Sequence, residues 1–183
     1  PPVIETALKN EDYNGKLVAE LMLNVKTFYN PNIEPKKRET LNNWLNNYQM
    51  TEKAWGISHK ILVTYCNNNS AEFANILYFS ANTMHKKSRH DGGDLSSSTN
   101  DDLRRSLLEL ILQFTNKKVL LNRLCLAYAA LSVHRTGTQP EKHPLEEIFK
   151  LSFFDNNTNK VYQKTLISAG VELFTVFLEE GTS

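Results

Sequence analysis

The stretch Leu41 to Leu62, LNNWLNNYQMTEKAWGISHKIL, constrains this chain more than any other. Leu41, Trp44, Leu45 and Tyr48 recur at offsets of 3, 4 and 7, which is one face of a helix. Only Gln49 and Met50 separate that face from Thr51, whose hydroxyl suits an N-cap for a second helix. A second amphipathic run follows with Ala54, Trp55, Ile57, Ile61, Leu62 and Tyr65. Two helices with almost no linker must fold back on each other. Trp44 and Trp55 are therefore expected to be largely buried near the join.

The same pattern extends in both directions. Asn14 to Tyr29 is predicted as a helix, with Leu17, Val18, Leu21, Val25, Phe28 and Tyr29 in register and Leu23 off the stripe. Asn30-Pro31-Asn32 breaks it, because proline disfavours helix at the residue before it. Pro35 suits the first turn of the next helix, where a missing N–H is no loss. That helix runs to about Tyr48, and Thr51 to Tyr65 forms the third. Ser70 can cap a fourth, to about Lys87, with Phe73, Ile76, Leu77, Ser80, Ala81 and Met84 inward. Asp91 to Asn100, DGGDLSSSTN, reads as a flexible surface loop.

Thr99 or Asn100 would cap a fifth helix through Leu103, Leu107, Leu108, Leu110, Ile111 and Phe114. Lys117 to Arg135 is the most apolar helix, carrying Val119, Leu120, Leu124, Ala127, Tyr128 and Leu131. Pro144 to Phe154 and Val161 to Leu178 complete the series, with Gly170 inside the last at a cost of roughly 1 kcal/mol against alanine. With no strand pattern, the fold class is all-α. Second helices of successive pairs centre near Asn42, Phe79, Leu126 and Gly170. Irregular steps of about 40 residues, two helices each, are the period of HEAT and armadillo arrays. The chain thus reads as an α-α superhelix, a HEAT/armadillo-like solenoid of about four helix-pair repeats. The repeats would cover 14–48, 51–88, 101–136 and 143–179, with the loop at 91–100.

Composition narrows the function classes. A formal net charge of +1, from 21 basic and 20 acidic residues, argues against a dedicated nucleic-acid surface. Cys66 and Cys125 make neither a disulfide framework nor a zinc cluster, which points to a reducing compartment. The longest apolar run, Leu124 to Val133, is short of the ~20 residues of a membrane span. PPVIETALKNEDYNGK has no signal-peptide core, and a start on Pro1-Pro2 without Met reads as a trimmed segment.

Nor is catalytic chemistry visible. Gly92-Gly93 lacks the Lys-Ser/Thr of a phosphate loop, and His59, His85, His90, His134 and His143 form no metal motif. Ser58 and His59 are adjacent on a helix, so their side chains diverge. HKKSRH at 85–90 reads as a solvated basic helix end complementing the dipole. PKKR at 35–38 superficially resembles a localisation signal but falls in a helix's first turn. The triplets at Asn68 and Asn156 need a secretory context to be glycosylated. No enzyme, cofactor or metal is expected.

Several motifs are similar to a known family. Arg38 with Trp44-Leu45, then Gln49 and AWxIS at Ala54 to Ser58, resemble the first-to-second repeat junction of importin-β-type transport receptors. FSANTMHKK at Phe79 to Lys87 resembles the second repeat, LRRSLLELI at Leu103 and NRLCLAYAALS at Asn122 the third, and LFTVFLEEG at Leu173 the close of the fourth. The order is colinear, and the likeness is closest to the transportin-SR and importin-thirteen branch. Where the third repeat of that family usually has Gln-Leu and Ala-Asp-Leu, this chain has Arg123-Leu124 and Ala129-Ala130-Leu131.

The resemblance implies the N-terminal segment of a receptor shuttling between nucleus and cytoplasm. Its partners would be the GTPase Ran in its GTP form, nucleoporins, and protein cargo such as SR-type splicing factors. No direct nucleic-acid or membrane contact is implied. In this family the second helix of each pair lines the concave face. With burial centred between Trp44 and Leu45, Asn43, Asn46 and Asn47 project away, as do Asn75, Phe79, Asn82 and Lys86 on the next such helix and Asn122, Leu126 and Val133 on the third. These residues, Val133 excepted, are the expected Ran contact, with Phe79 exposed at its centre. The alternatives are a HEAT or armadillo scaffold independent of Ran and, third, a helical enzyme domain.

Overall fold

The computed structural model describes residues 11–136. Among them the chain is all helical, with six α-helices joined by short turns: α1 (Glu11–Phe28), α2 (Pro35–Met50), α3 (Lys53–Tyr65), α4 (Ala71–Asp91), α5 (Ser97–Gln113) and α6 (Lys118–Thr136). The expected helices at 144–154 and 161–178, with Gly170, the fourth repeat, the Asn156 triplet and the LFTVFLEEG motif, lie outside the described residues. The chain divides into two compact units after Lys87.

In the first unit, Pro35 occupies the opening turn of α2, as its missing N–H allows. The turn before it is closed by Arg38, whose guanidinium donates to the carbonyls of Asn30 at 3.0 Å and Pro31 at 3.5 Å. The PKKR run is thus the start of a helix, with its arginine fastening a turn. The α2–α3 join is as short as expected but falls two residues later, at Thr51 and Glu52. Thr51 caps the end of α2, its N–H and hydroxyl both donating to the Tyr48 carbonyl at 3.0 and 2.8 Å. It does not cap α3 with its side chain, because that hydroxyl is already committed backwards and Glu52 is helical in its place. Ala54, Trp55, Ile57, Ile61 and Leu62 form the buried face of α3. Trp55 is 4% exposed, whereas Trp44 is only half-buried. Leu21 and Val25 anchor α1 while Leu23, off the stripe, is 63% exposed.

Helix α4 buries Ile76, Leu77, Ser80, Ala81 and Met84, leaving Phe73 half-buried against Tyr65 with ring centroids 4.6 Å apart. It continues past Lys87 to Asp91. The basic stretch is therefore not uniformly solvated. Lys87 is 4% exposed, with its ammonium 5.9 Å from the centre of the Trp55 ring. A long aliphatic stem and a ring face make that burial tolerable.

In the second unit, the expected loop at 91–100 contracts. Gly92–Asp94 makes a 3-10 turn and α5 starts at Ser97, so little of the stretch is irregular. Ser96, not Thr99 or Asn100, is the N-cap, its Oγ accepting from the Thr99 amide at 3.3 Å. Thr99 and Asn100 are instead buried, and the Asn100 amide donates to the Leu131 carbonyl at 3.2 Å. Helices α5 and α6 are antiparallel, since Asn100 reaches Leu131 while Arg104 reaches Tyr128. Leu103, Leu107, Leu110, Ile111 and Phe114 pack on Leu120, Leu124, Ala127, Tyr128 and Leu131. Val119 faces outward at 64% exposure, which a nearly uniformly apolar helix does not reveal by periodicity. The described residues of each unit form antiparallel helix pairs, in keeping with an all-α helical repeat protein.

Candidate functional site

The residues expected to make a recognition face divide between the two units. In the first, Asn43, Asn46 and Asn47 are exposed on α2, because burial on that helix follows Leu45, Tyr48 and Gln49. On α4, Lys86 is exposed and Asn75 and Asn82 are half-buried. In the second unit, Asn122 and Leu126 are half-buried on α6 and Val133 is 53% exposed.

Phe79 requires a correction. It is 7% exposed, and its ring lies 6.1 Å from that of Tyr48, tilted by 35°. Tyr48 in turn stacks on Trp44 of the preceding turn at 5.9 Å, with planes 3° apart. Phe79 is thus interhelical packing between α2 and α4, and an exposed aromatic at the centre of the face is not present. Single-helix geometry projected it outward, but the neighbouring helix covers it.

Beneath the face runs a polar connection that periodicity did not disclose. Gln49, 3% exposed, donates through Nε2 to the Thr83 hydroxyl at 2.9 Å. Thr83 donates onward to the Phe79 carbonyl at 2.8 Å. The Gln49 Oε1 accepts from the Lys86 ammonium at 2.8 Å. A buried amide uses both of its ends here, tying α2 to α4 and holding a surface lysine. The one clue in the sequence was a glutamine directly following the buried Tyr48.

Tyr48 itself is perturbed. Burial pushes its phenol well above the ordinary value of 10.0, an effect that the adjacent Ser58 hydroxyl partly offsets. Neither hydroxyl has a partner at hydrogen-bond geometry, so we read burial as the dominant influence. The fold favours the neutral phenol, whereas an unfolded tyrosine ionises near its ordinary value. Tyr48 therefore contributes stability that is complete below about pH 10 and is lost as the pH rises beyond it. Tyr48→Phe should change stability at pH 7 by less than about 1 kcal/mol, because the hydroxyl it removes is unsatisfied. Urea midpoints measured up to about pH 11 should fall less steeply for the variant than for the parent. Equal slopes would place the alkaline sensitivity elsewhere.

Asn75 lies toward the start of α4, in the wall of a cleft of about 130 Å³ with Met22, Leu23, Val25 and Lys26 of α1. The cleft is mainly apolar. Among the described residues no cluster of His, Cys, Asp and Glu is placed to hold a metal ion, and no helix is long and apolar enough to cross a membrane.

No protein-family model matches the chain. It is 26% identical over 181 residues to Importin-13 homolog A of Dictyostelium discoideum, covering 95% of this chain and 16% of that protein. It is 27% identical over 154 residues to Importin-13 of Rattus norvegicus, covering 84% of this chain and 15% of that protein. The chain thus spans under a fifth of the length of these curated relatives. Together with the all-α hairpin architecture, the two matches support a relationship to the importin-β family.

Proposed function

We propose that this chain is the N-terminal segment of an importin-β superfamily nuclear transport receptor of the transportin-SR and importin-thirteen type. The observation that carries the reading is a similarity to Importin-13 homolog A that runs through 95% of the chain. Helix pairs at 14–48, 51–88, 101–136 and 143–179 would be the first repeats of its solenoid. The receptor would shuttle between nucleus and cytoplasm, carry protein cargo such as SR-type factors, and pass nucleoporins, with import as its direction. Ran-GTP would bind the second helices of the repeats, through Asn43, Asn46, Asn47, Asn75, Asn82 and Lys86 in the first unit and Asn122 and Leu126 in the second. Phe79 would support that face from beneath, since it is buried.

The role needs a surface and no catalysis, because a carrier acts by binding and releasing its partners. The test is binding of the chain to Ran loaded with GTP or with GDP, titrated to high concentration so that weak affinity is read. Binding that requires GTP is the expected result. Equal binding to both forms, or none to either, would favour a scaffold independent of Ran.

A further inference from the structure

We infer that Lys86 is a pre-positioned anchor for a carboxylate on a docked protein partner, and that Gln49 is the residue that positions it. The inference rests on the proposed Ran-binding face and adds to it a chemical contact and a supporting residue. A surface lysine ordinarily samples many rotamers, and ordering such a side chain on binding costs conformational entropy. Here the ammonium is already fixed, because it donates to Gln49 Oε1 at 2.8 Å. Gln49 is itself buried, 3% exposed and bonded at its other end to Thr83. An ammonium has three donors, so one bond to Gln49 leaves others for a ligand, and Lys86 is exposed.

The surroundings select the ligand. From Thr40 to Met50 on α2, and from Phe73 to Lys87 on α4, there is no aspartate or glutamate. The exposed residues of that α2 stretch include the neutral amides Asn43, Asn46 and Asn47. No carboxylate on these two stretches competes for Lys86, and a partner with an acidic side chain at this point complements the field. Arg89 and His90 follow in the last turn of the same helix, so the test includes an oligonucleotide as a competing ligand. A role confined to capping the end of α2 would use the same Gln49 bond, so the test must separate binding from folding.

The experiment measures binding of the 183-residue chain to Ran-GTP at low and high salt, with melting temperatures recorded for each variant. Lys86→Met should keep its melting temperature and weaken binding at least tenfold at low salt, with the difference shrinking at high salt. Gln49→Met should weaken binding at least threefold in the parent, and have almost no effect in the Lys86→Met background, since it acts through Lys86. If Gln49→Met melts below the assay temperature, Thr83→Val, which removes the acceptor of Gln49 Nε2, replaces it. Unchanged affinity of a folded Lys86→Met chain overturns the anchor. Equal losses from Gln49→Met in both backgrounds overturn the positioning role. An oligonucleotide competing with Ran-GTP through Lys86 would mean that phosphates are the ligand and overturn the assignment. A parent with no GTP-dependent Ran binding overturns the underlying reading as well, and is distinguished by its failure before any substitution is made.

Discussion

Trp55→Ala should destabilise the first unit by about 3–5 kcal/mol, the range for emptying a large aromatic site in a core. The ring is 4% exposed among Ala54, Ile57, Ile61 and Leu62, which are buried on the same helix. Removing it also takes away the aromatic face beneath the Lys87 ammonium, 5.9 Å from the ring centre and nearly inaccessible to water. The cavity and the lost cation–π contact act in the same direction. Trp44 lies across the same α2–α3 join but is half-buried, so Trp44→Ala should cost less than half as much. Urea denaturation of both variants against the parent checks the order. A larger loss from Trp44→Ala would mean that the side of the hairpin facing the core has been misassigned. Such a loss matters for function because the same hairpin carries Gln49 and the amides of α2.

Tyr128→Ala should destabilise the second unit by a comparable ~3–5 kcal/mol. Tyr128 is fully buried and serves Arg104 twice. Its hydroxyl accepts from the guanidinium at 3.2 Å, and the guanidinium carbon lies 5.3 Å from the ring centre. Arg104 is 2% exposed, and Asp101 at 3.6 Å supplies a further ionic contact. A guanidinium taken from water needs such neighbours, and losing one leaves much of its desolvation uncompensated. Tyr128→Phe separates the two services. It keeps the ring and loses only the hydroxyl, so it should cost about 1.5–3 kcal/mol, the range for a hydrogen bond to a charged group. If the phenylalanine variant is as unstable as the alanine variant, the hydroxyl, not the ring, dominates. If it equals the parent, Arg104 draws its support from Asp101 and other neighbours. Thermal and urea unfolding followed by circular dichroism read both variants.

How much of this was legible beforehand depends on the range of the interaction. Helix existence was readable because it follows from periodicity and breakers within a few residues. Pro31 and Pro35 bracket a turn whatever packs around it, and the stripe Leu103, Leu107, Leu110, Ile111, Phe114 is buried as its spacing requires. The glycines and serines of 91–100 misled, because small polar residues are equally compatible with a loop, a 3-10 turn and a capped first turn. Which one forms was set by Asn100 reaching the Leu131 carbonyl, a partner 31 residues away.

The candidate face shows the same division. Sequence alone determined that α2 presents asparagines away from Leu45 and Tyr48, since a helix fixes the angles among its own side chains. It also determined that no carboxylate lies on those stretches and that Lys86 falls on the same side of α4 as Asn82. Only the tertiary structure decided that Phe79 is covered by Tyr48, that Lys87 lies over Trp55, and that Gln49 holds Lys86. The physical reason is that periodicity orients a side chain about its own helix axis. Its exposure and its hydrogen-bond partner depend on the distance and rotation of the next helix, which packing among residues far apart in the chain must settle.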